Sequence, residues 1–79
     1  MVPPFQYDVL VIGGFGHVGL PLGIVLAQTG LRVGLLDRDT SKRPGIESGR
    51  MPFVEYDAEP ILSQVIHKTL FVVDSLSAV

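Results

Sequence analysis

Three glycines, Gly14, Gly16 and Gly19, stand at the spacing G-x-G-x-x-G. We expect Gly14 to permit a tight turn, Gly16 to let the main chain approach a ligand closely, and Gly19 to let a helix pack against a sheet. The first amides of a helix have no intrahelical acceptor and carry a partial positive charge, so they bind anions well. The spacing therefore indicates a pyrophosphate-binding turn, as in dinucleotide sites. A glycine-rich turn without a ligand is the alternative.

Asp37 is the second residue whose type and position suggest chemistry. It ends an apolar segment 18 residues after Gly19. A carboxylate at that position accepts hydrogen bonds from the adenosine ribose hydroxyls and repels a 2′-phosphate, which favours NAD over NADP. Arg38 follows and could offset that repulsion, although we favour a solvated surface charge. The alternative for Asp37 is a turn or capping acid at a strand end.

The two histidines are weaker candidates for chemistry. His17 lies in the glycine turn, where we expect its backbone N–H to contact a cofactor, and it has no carboxylate or nucleophile nearby in the sequence. His67 lies near a predicted helix end, which favours a structural role. The sequence contains no cysteine, and the two histidines are too far apart to suggest a metal site by spacing. We therefore predict neither a catalytic nor a metal-binding residue.

Secondary structure that could position these residues follows from short apolar runs and turn signals. Strands are predicted at residues 7–12, 31–36 and 69–73, where apolar residues are continuous, as in sheets covered on both faces. Helices are predicted between the strands. The first runs from the glycine turn to Gly30, and a short one follows Asp39 until Pro44-Gly45 interrupts it. A third is capped by Asp57 and runs to about His67, and a further helix starts at Asp74.

The order β-α-β-α-β predicts an α/β fold with right-handed crossovers. This is the first half of a Rossmann doubly wound parallel sheet, arranged in three layers, α/β/α. In the strand order 3-2-1-4-5-6 the first strand is central, so without a fourth strand residues 7–12 become a long apolar edge. We expect such a chain to self-associate as a homo-oligomer. Residues 1–6, with two prolines, are predicted to be a disordered lead-in to a partial nucleotide-binding domain at 7–79.

Composition excludes several other classes of protein. Seventy-nine residues form one small domain, and 47% hydrophobic with 18% charged residues indicates a globular chain. A net charge of −2 gives no electrostatic reason to expect nucleic acid or an anionic membrane as a partner. No secretory signal is recognisable, and the apolar residues 18–27 are too few to span a bilayer. A cytoplasmic protein is the expectation.

Two longer motifs resemble a known family. Residues 11–22, Val-Ile-Gly-Gly-Phe-Gly-His-Val-Gly-Leu-Pro-Leu, resemble the N-terminal signature of the nucleotide-sugar 6-dehydrogenases, the UDP-glucose, UDP-N-acetylmannosamine and GDP-mannose dehydrogenases. Residues 49–55, Gly-Arg-Met-Pro-Phe-Val-Glu, resemble that family's G-x-x-P-x-x-E loop, and the strand at 69–73 closing on Asp74 is a third match. The resemblance implies oxidation of the C6 hydroxyl of a nucleotide-linked sugar to a carboxylate, with two NAD+ used in succession.

The resemblance also implies roles for individual residues. Asp37 would bind the adenosine ribose, and Lys42 would contact the same nucleotide, with a solvated lysine as its alternative. The pyrophosphate would lie against the turn formed by Gly14, Phe15, Gly16, His17, Val18 and Gly19. The family's catalytic cysteine, lysine and asparagine would lie beyond residue 79, so we expect a fragment that does not transfer hydride by itself. Alternatives are a flavin- or NADP-dependent oxidoreductase fragment and a non-catalytic nucleotide-sensing module.

Overall fold

A computed structural model describes residues 7–55 and 57–73, which form three parallel strands connected by helices. This confirms the predicted α/β, Rossmann-like fold. Residues 1–6, Tyr56 and residues 74–79 lie outside the described part, and with them the predicted lead-in and the helix start at Asp74. The elements in chain order are β1 (Val9–Ile12), α1 (Gly19–Gln28), β2 (Val33–Leu36), a 3₁₀ helix (Thr40–Lys42), α2 (Arg43–Glu47), α3 (Ala58–Val65) and β3 (Leu70–Val72).

The sheet has the order β1-β2-β3, with β2 in the middle. Val33 pairs with Val9 on one side and with Leu70 on the other. The first strand is therefore an edge of the described sheet, as predicted, but it has four residues rather than six. Because all three strands are parallel, their carboxyl ends lie along the same edge of the sheet. The glycine turn follows β1 at this carboxyl edge, and Asp37 follows β2 there.

One hydrophobic cluster joins the helices to the sheet. Leu20 and Ile24 of α1 pack with Leu35 of β2, and all three are almost completely buried. A Cβ on Gly23 would lie 2.7 Å from Leu35 Cδ2, so the absence of a side chain at Gly23 lets α1 approach the sheet. The cluster also contains Ile46 of α2 and Leu62 of α3. The three helices thus contribute to one helical layer, and the second predicted layer stays a prediction.

The opposite side of β2 is lined by different side chains. Space at Gly34 is taken by Leu10, Tyr7 and Val73, whose nearest atoms would lie 2.8–3.3 Å from a Cβ there. The rings of Tyr7 and Phe71 are 5.8 Å apart at their centroids. This face is therefore apolar too, in line with the continuous apolar runs of the strands.

Helix boundaries confirm some turn signals and correct others. Gly30 follows α1 in the left-handed conformation, with φ of 99°, as predicted. Pro44 does not interrupt a helix, because it lies in the first turn of α2, where its missing N–H would have no intrahelical acceptor. Asp57 precedes α3 at φ of 60°, and its side chain makes no capping hydrogen bond, so the predicted side-chain cap is wrong. The same helix ends at Val65 rather than near His67.

Candidate functional site at the carboxyl edge of the sheet

The turn between β1 and α1 is built onto the end of β2. The N–H groups of Gly13 and Gly14 both donate to the carbonyl oxygen of Leu36, at 2.8 Å and 3.0 Å. The Phe15 side chain is only 1% exposed and belongs to the hydrophobic core. This buried ring in the middle of the turn holds the surrounding main chain in place. Because the side chain is buried, it cannot contact a ligand.

Three glycines of the turn, Gly13, Gly14 and Gly19, are each required for a different steric reason. Gly13, rather than Gly14, is the left-handed residue, with φ of 73°. A Cβ on Gly14 would lie 2.8 Å from Leu35 Cβ, so Gly14 is needed for close packing on β2. A Cβ on Gly19 would overlap the carbonyl oxygen of Gly13, so the start of α1 closes against the turn itself. These contacts reassign the steric roles that the spacing alone predicted for Gly14 and Gly19.

Gly16 differs from the other turn glycines. The nearest neighbour that a Cβ would meet there is the Gly13 carbonyl oxygen at 3.4 Å, an ordinary contact distance. Protein atoms would therefore tolerate a methyl group at this position. A glycine here leaves open space beside the main chain, as the close approach of a ligand requires.

The start of α1 presents amide donors that no group of the described residues accepts. Gly16 N–H donates to Gly13 and Leu20 N–H to Gly16, at 3.2 Å and 3.1 Å. Within the part of the chain that the structure describes, the N–H groups of His17, Val18 and Gly19 have no hydrogen-bond acceptor. Val18 is 80% exposed, and the first turn of α1 carries no acidic residue that would neutralise its partial positive charge. This geometry suits an anion.

Asp37 lies directly beside this turn. Its Oδ2 accepts the Phe15 N–H and its Oδ1 accepts the Asp39 N–H, both at 2.9 Å. These two backbone donors, Asp39 first and then Phe15, lower the pKa of the Asp37 carboxyl below its usual range, with a further contribution from the Lys42 charge. A carboxylate oxygen has more than one lone pair, so both oxygens can accept further hydrogen bonds from a ligand.

Lys42 and Arg38 stand near the same carboxylate in different settings. Lys42 ends the 3₁₀ helix, and its Nζ lies 3.8 Å from Asp39 Oδ2. Asp39 caps that helix by accepting the Ser41 N–H at 3.2 Å. Lys42 is half-buried and acts on Asp37 through its charge, whereas Arg38 is exposed. The structure thus places the Lys42 charge close enough to Asp37 to influence it.

Sequence reasoning did not find the contact between His17 and Phe53. Their rings stack with centroids 4.1 Å apart and planes 20° apart. Phe53 lies in residues 49–55, the motif that precedes α3. That motif was noted in the sequence, but nothing in it indicated a contact with His17. His67, by contrast, places Nε2 3.1 Å from the Glu47 carbonyl oxygen, which supports the predicted structural role.

Two negative observations apply to the described residues. They contain no cluster of three potential metal-ligating side chains. None of their helices has the length and apolar character needed to cross a lipid bilayer.

Comparison with solved structures gives close folds at modest identity. The chain is similar to a UDP-D-ManNAc dehydrogenase from Pyrococcus horikoshii, with a TM-score of 0.79 and 28% identity over 87% of this chain. It is also similar to a UDP-glucose dehydrogenase from Pyrobaculum islandicum, with a TM-score of 0.80 and 26% identity over 95% of this chain. The aligned part covers 16% and 18% of those two chains. No curated protein sequence matches.

A family model matches residues 8–78, which is nearly the whole chain and includes the glycine turn, Asp37 and residues 49–55. That model describes the NAD-binding domain of the UDP-glucose/GDP-mannose dehydrogenase family. The fold, the unpaired amides at the start of α1 and the ionised carboxylate beside them agree with this match. The chain belongs to the UDP-glucose/GDP-mannose dehydrogenase family and carries sequence of its NAD-binding domain.

Proposed function

We propose that the chain forms the adenosine-diphosphate part of the NAD site in an enzyme that oxidises the C6 hydroxyl of a UDP-sugar to a uronic acid. The observation that carries this proposal is the pairing of unused N–H donors at residues 17–19 with the ionised carboxylate of Asp37. When bound, NAD+ would accept hydride from C6, with two NAD+ and one water consumed for each carboxylate formed.

Residues of the glycine turn and residues that follow β2 bind different parts of the nucleotide. The N–H groups of His17, Val18 and Gly19 bind the diphosphate, and the open space at Gly16 admits it. Asp37 accepts hydrogen bonds from both hydroxyls of the adenosine ribose and repels a 2′-phosphate, which selects NAD over NADP. Lys42 adds a positive charge near the nucleotide. Phe15 contributes by its burial and by its N–H to Asp37 rather than by contacting the ligand.

The UDP-sugar in this proposal rests on the family and on the two similar enzymes, a UDP-D-ManNAc dehydrogenase and a UDP-glucose dehydrogenase. These 79 residues contain no cysteine. We therefore expect the chain by itself to bind the cofactor without oxidising a sugar. Absorbance at the NADH wavelength should stay flat when it is mixed with NAD+ and a UDP-sugar, and a rise would contradict this expectation.

The test of cofactor choice is calorimetric titration of the purified chain with NAD+, NADP+ and FAD. We expect NAD+ to bind more tightly than NADP+. Because hydrogen bonds to a charged group contribute about 1.5–3 kcal/mol, Asp37→Ala should weaken NAD+ binding by about 10- to 100-fold. The same variant should lose most of the discrimination against NADP+.

Asp8→Ala is the matched control. Asp8 is an exposed carboxylate that, like Asp37, accepts a backbone N–H, that of Arg32 at 2.8 Å, but it lies before β1 at the opposite edge of the sheet. Its removal should leave the affinity for all three nucleotides unchanged. Tighter binding of FAD or NADP+ than of NAD+ by the unsubstituted chain would refute the proposed NAD function.

A further inference from the structure

The stack of His17 on Phe53 joins two segments that are far apart in sequence. His17 belongs to the glycine turn, whereas Phe53 lies in the segment between α2 and α3. At a centroid separation of 4.1 Å and an interplanar angle of 20°, the two rings lie face to face. His17 is exposed, and Phe53 is half-buried and packs against the hydrophobic core. The core therefore supports one ring, and that ring supports the other.

Residues 51–55 are anchored at one end and exposed at the other. Met51 N–H donates to Glu59 Oε1 at 2.9 Å, and Met51 also packs against the core. Beyond Phe53 the segment emerges into solvent, and Val54 is 96% exposed. An open groove of about 460 Å³ runs along this segment and is lined by Met51, Pro52, Phe53, Val54, Glu55 and Glu59.

The stack matters because the peptide unit between His17 and Val18 has no hydrogen bond within the described residues. The units on either side of it are held, since the carbonyl oxygens of Gly16 and Val18 accept the N–H groups of Leu20 and Leu22 at 3.1 Å and 3.2 Å. Gly16 has no side chain, and the Val18 side chain is largely exposed. The ring of His17 is thus the side chain between residues 16 and 18 that packs against another part of the fold. Rotation of the peptide unit between His17 and Val18 would redirect the Val18 N–H.

We propose that His17 is a positioning residue: its stack on Phe53 orients the free amide of Val18 and couples residues 51–55 to occupancy of the diphosphate site. The inference rests on the proposed function, because it concerns how an amide of the same NAD site is oriented. A flat ring on a flat ring supplies the contact, so the shape of the side chain at position 17 matters and its charge does not. By linkage, a ligand that requires the oriented turn must also stabilise the loop that holds it.

The experiment is a double-mutant cycle read by NAD+ titration of the purified chain, with amide NMR to reach weak affinities. His17→Ala removes one ring, and Phe53→Leu removes the flat face while keeping apolar volume for the core. Each should raise the Kd for NAD+ about three- to tenfold, the range expected for an aromatic pair. The double variant should be no weaker than the weaker single variant, because both changes remove the same contact.

Two further variants separate positioning from general loss of structure. His17→Tyr keeps a flat ring and should bind NAD+ like the unsubstituted chain. His67→Asn is the control at the other histidine; asparagine suits its left-handed backbone, with φ of 63°, and the change should leave the Kd unaltered. Hydrogen exchange adds a readout of coupling: NAD+ should slow exchange at the amides of Met51 and residues 53–55 in the unsubstituted chain and in His17→Tyr, but not in His17→Ala.

The outcomes distinguish this inference from the proposed function. If the unsubstituted chain binds NAD+ and Asp37→Ala weakens it, while His17→Ala and Phe53→Leu have no effect or act additively, the positioning role is overturned and the NAD site stands. Failure of His17→Tyr to restore binding would overturn it as well. If the unsubstituted chain does not bind NAD+ at all, both the function and the positioning role are refuted.

Discussion

Asp37 Oδ2 accepts the N–H of Phe15 at 2.9 Å, which ties the end of β2 to the middle of the turn that follows β1. The Phe15 side chain is buried in the core, so its N–H is held in a fixed direction. Asp37 therefore stabilises the turn before any ligand arrives and keeps oxygen lone pairs for the ligand. The same carboxylate serves the fold and the proposed ribose site, and substitutions there should change both.

The stability of the protein should depend on the ionisation of Asp37 in acid. Backbone donors lower its pKa in the folded chain below the ordinary value of 3.8. A depressed folded pKa adds stability that is fully present above 3.8, declines as the pH falls from 3.8 to the folded pKa, and is absent below it. The test is the difference in free energy of unfolding between the unsubstituted chain and Asp37→Asn, measured by urea titration between pH 2.5 and 6. We expect this difference to be constant above pH 3.8 and to decline as the pH falls below that value.

Asp8 provides a comparison for that experiment. Its pKa is also lowered, first by the backbone N–H of Arg32 and then by the Arg32 side chain. Asp8→Asn should therefore remove an acid-dependent contribution of the same direction without affecting nucleotide binding. An Asp37→Asn difference that stayed constant down to the lowest pH would contradict the assigned hydrogen bonds.

Alanine at Gly19 should lower the stability of the fold, whereas alanine at Gly16 should lower the affinity for NAD+. Gly19→Ala places a Cβ against the Gly13 carbonyl oxygen, which is backbone and cannot move aside easily. We expect it to destabilise the fold by about 1–3 kcal/mol, as overpacking does. Gly16→Ala meets no such contact, so thermal unfolding should be nearly unchanged while NAD+ binding weakens at least tenfold. Equal melting temperatures for the two variants would show that the turn is not packed as described.

Lys42 and Arg38 offer a matched pair of cations near Asp37. Lys42 is half-buried and acts on Asp37 through its charge, whereas Arg38 is exposed. Because partly exposed charges contribute about 0.2–1 kcal/mol, Lys42→Ala should weaken NAD+ binding by about two- to fivefold in low salt. Arg38→Ala should have no effect on NAD+ binding. A larger loss with Arg38→Ala would reverse the two assignments.

The apolar surface around β1 predicts self-association of the purified chain. β1 is an edge of the described sheet, and Ile12 at its end is 66% exposed. Leu22 and Val25, on α1, are 50% and 56% exposed. Such edges and patches pair with other chains, so sedimentation at tens of micromolar, roughly the range for weak contacts, should show dimers or larger species.

Charged substitutions locate that contact. Ile12→Lys and Leu22→Glu should shift the sedimenting species toward the monomer. Val54→Lys is the control, since Val54 is 96% exposed but lies in the segment before α3 rather than beside β1. A monomer in the unsubstituted chain at these concentrations would disprove self-association through this surface.

The order of the main strands and helices, and the position of the candidate site among them, could be predicted from the sequence. Continuous apolar runs specify buried parallel strands, and the glycine spacing marks the turn between β1 and α1. Gly30 marked the end of α1 because its backbone adopts a conformation that glycine favours. These features are local: they depend on residues within a few positions of each other, and backbone preference and hydrophobic pattern report on that range directly.

The contacts that hold the turn form only when the chain folds. Gly14 packs against Leu35, and the N–H of buried Phe15 donates to Asp37; both contacts join residues about 20 positions apart. The stack of His17 on Phe53 joins residues 36 positions apart. No spacing in the sequence encodes these contacts, because they arise when the packing of α1 and α3 on one sheet brings separate loops to the same edge.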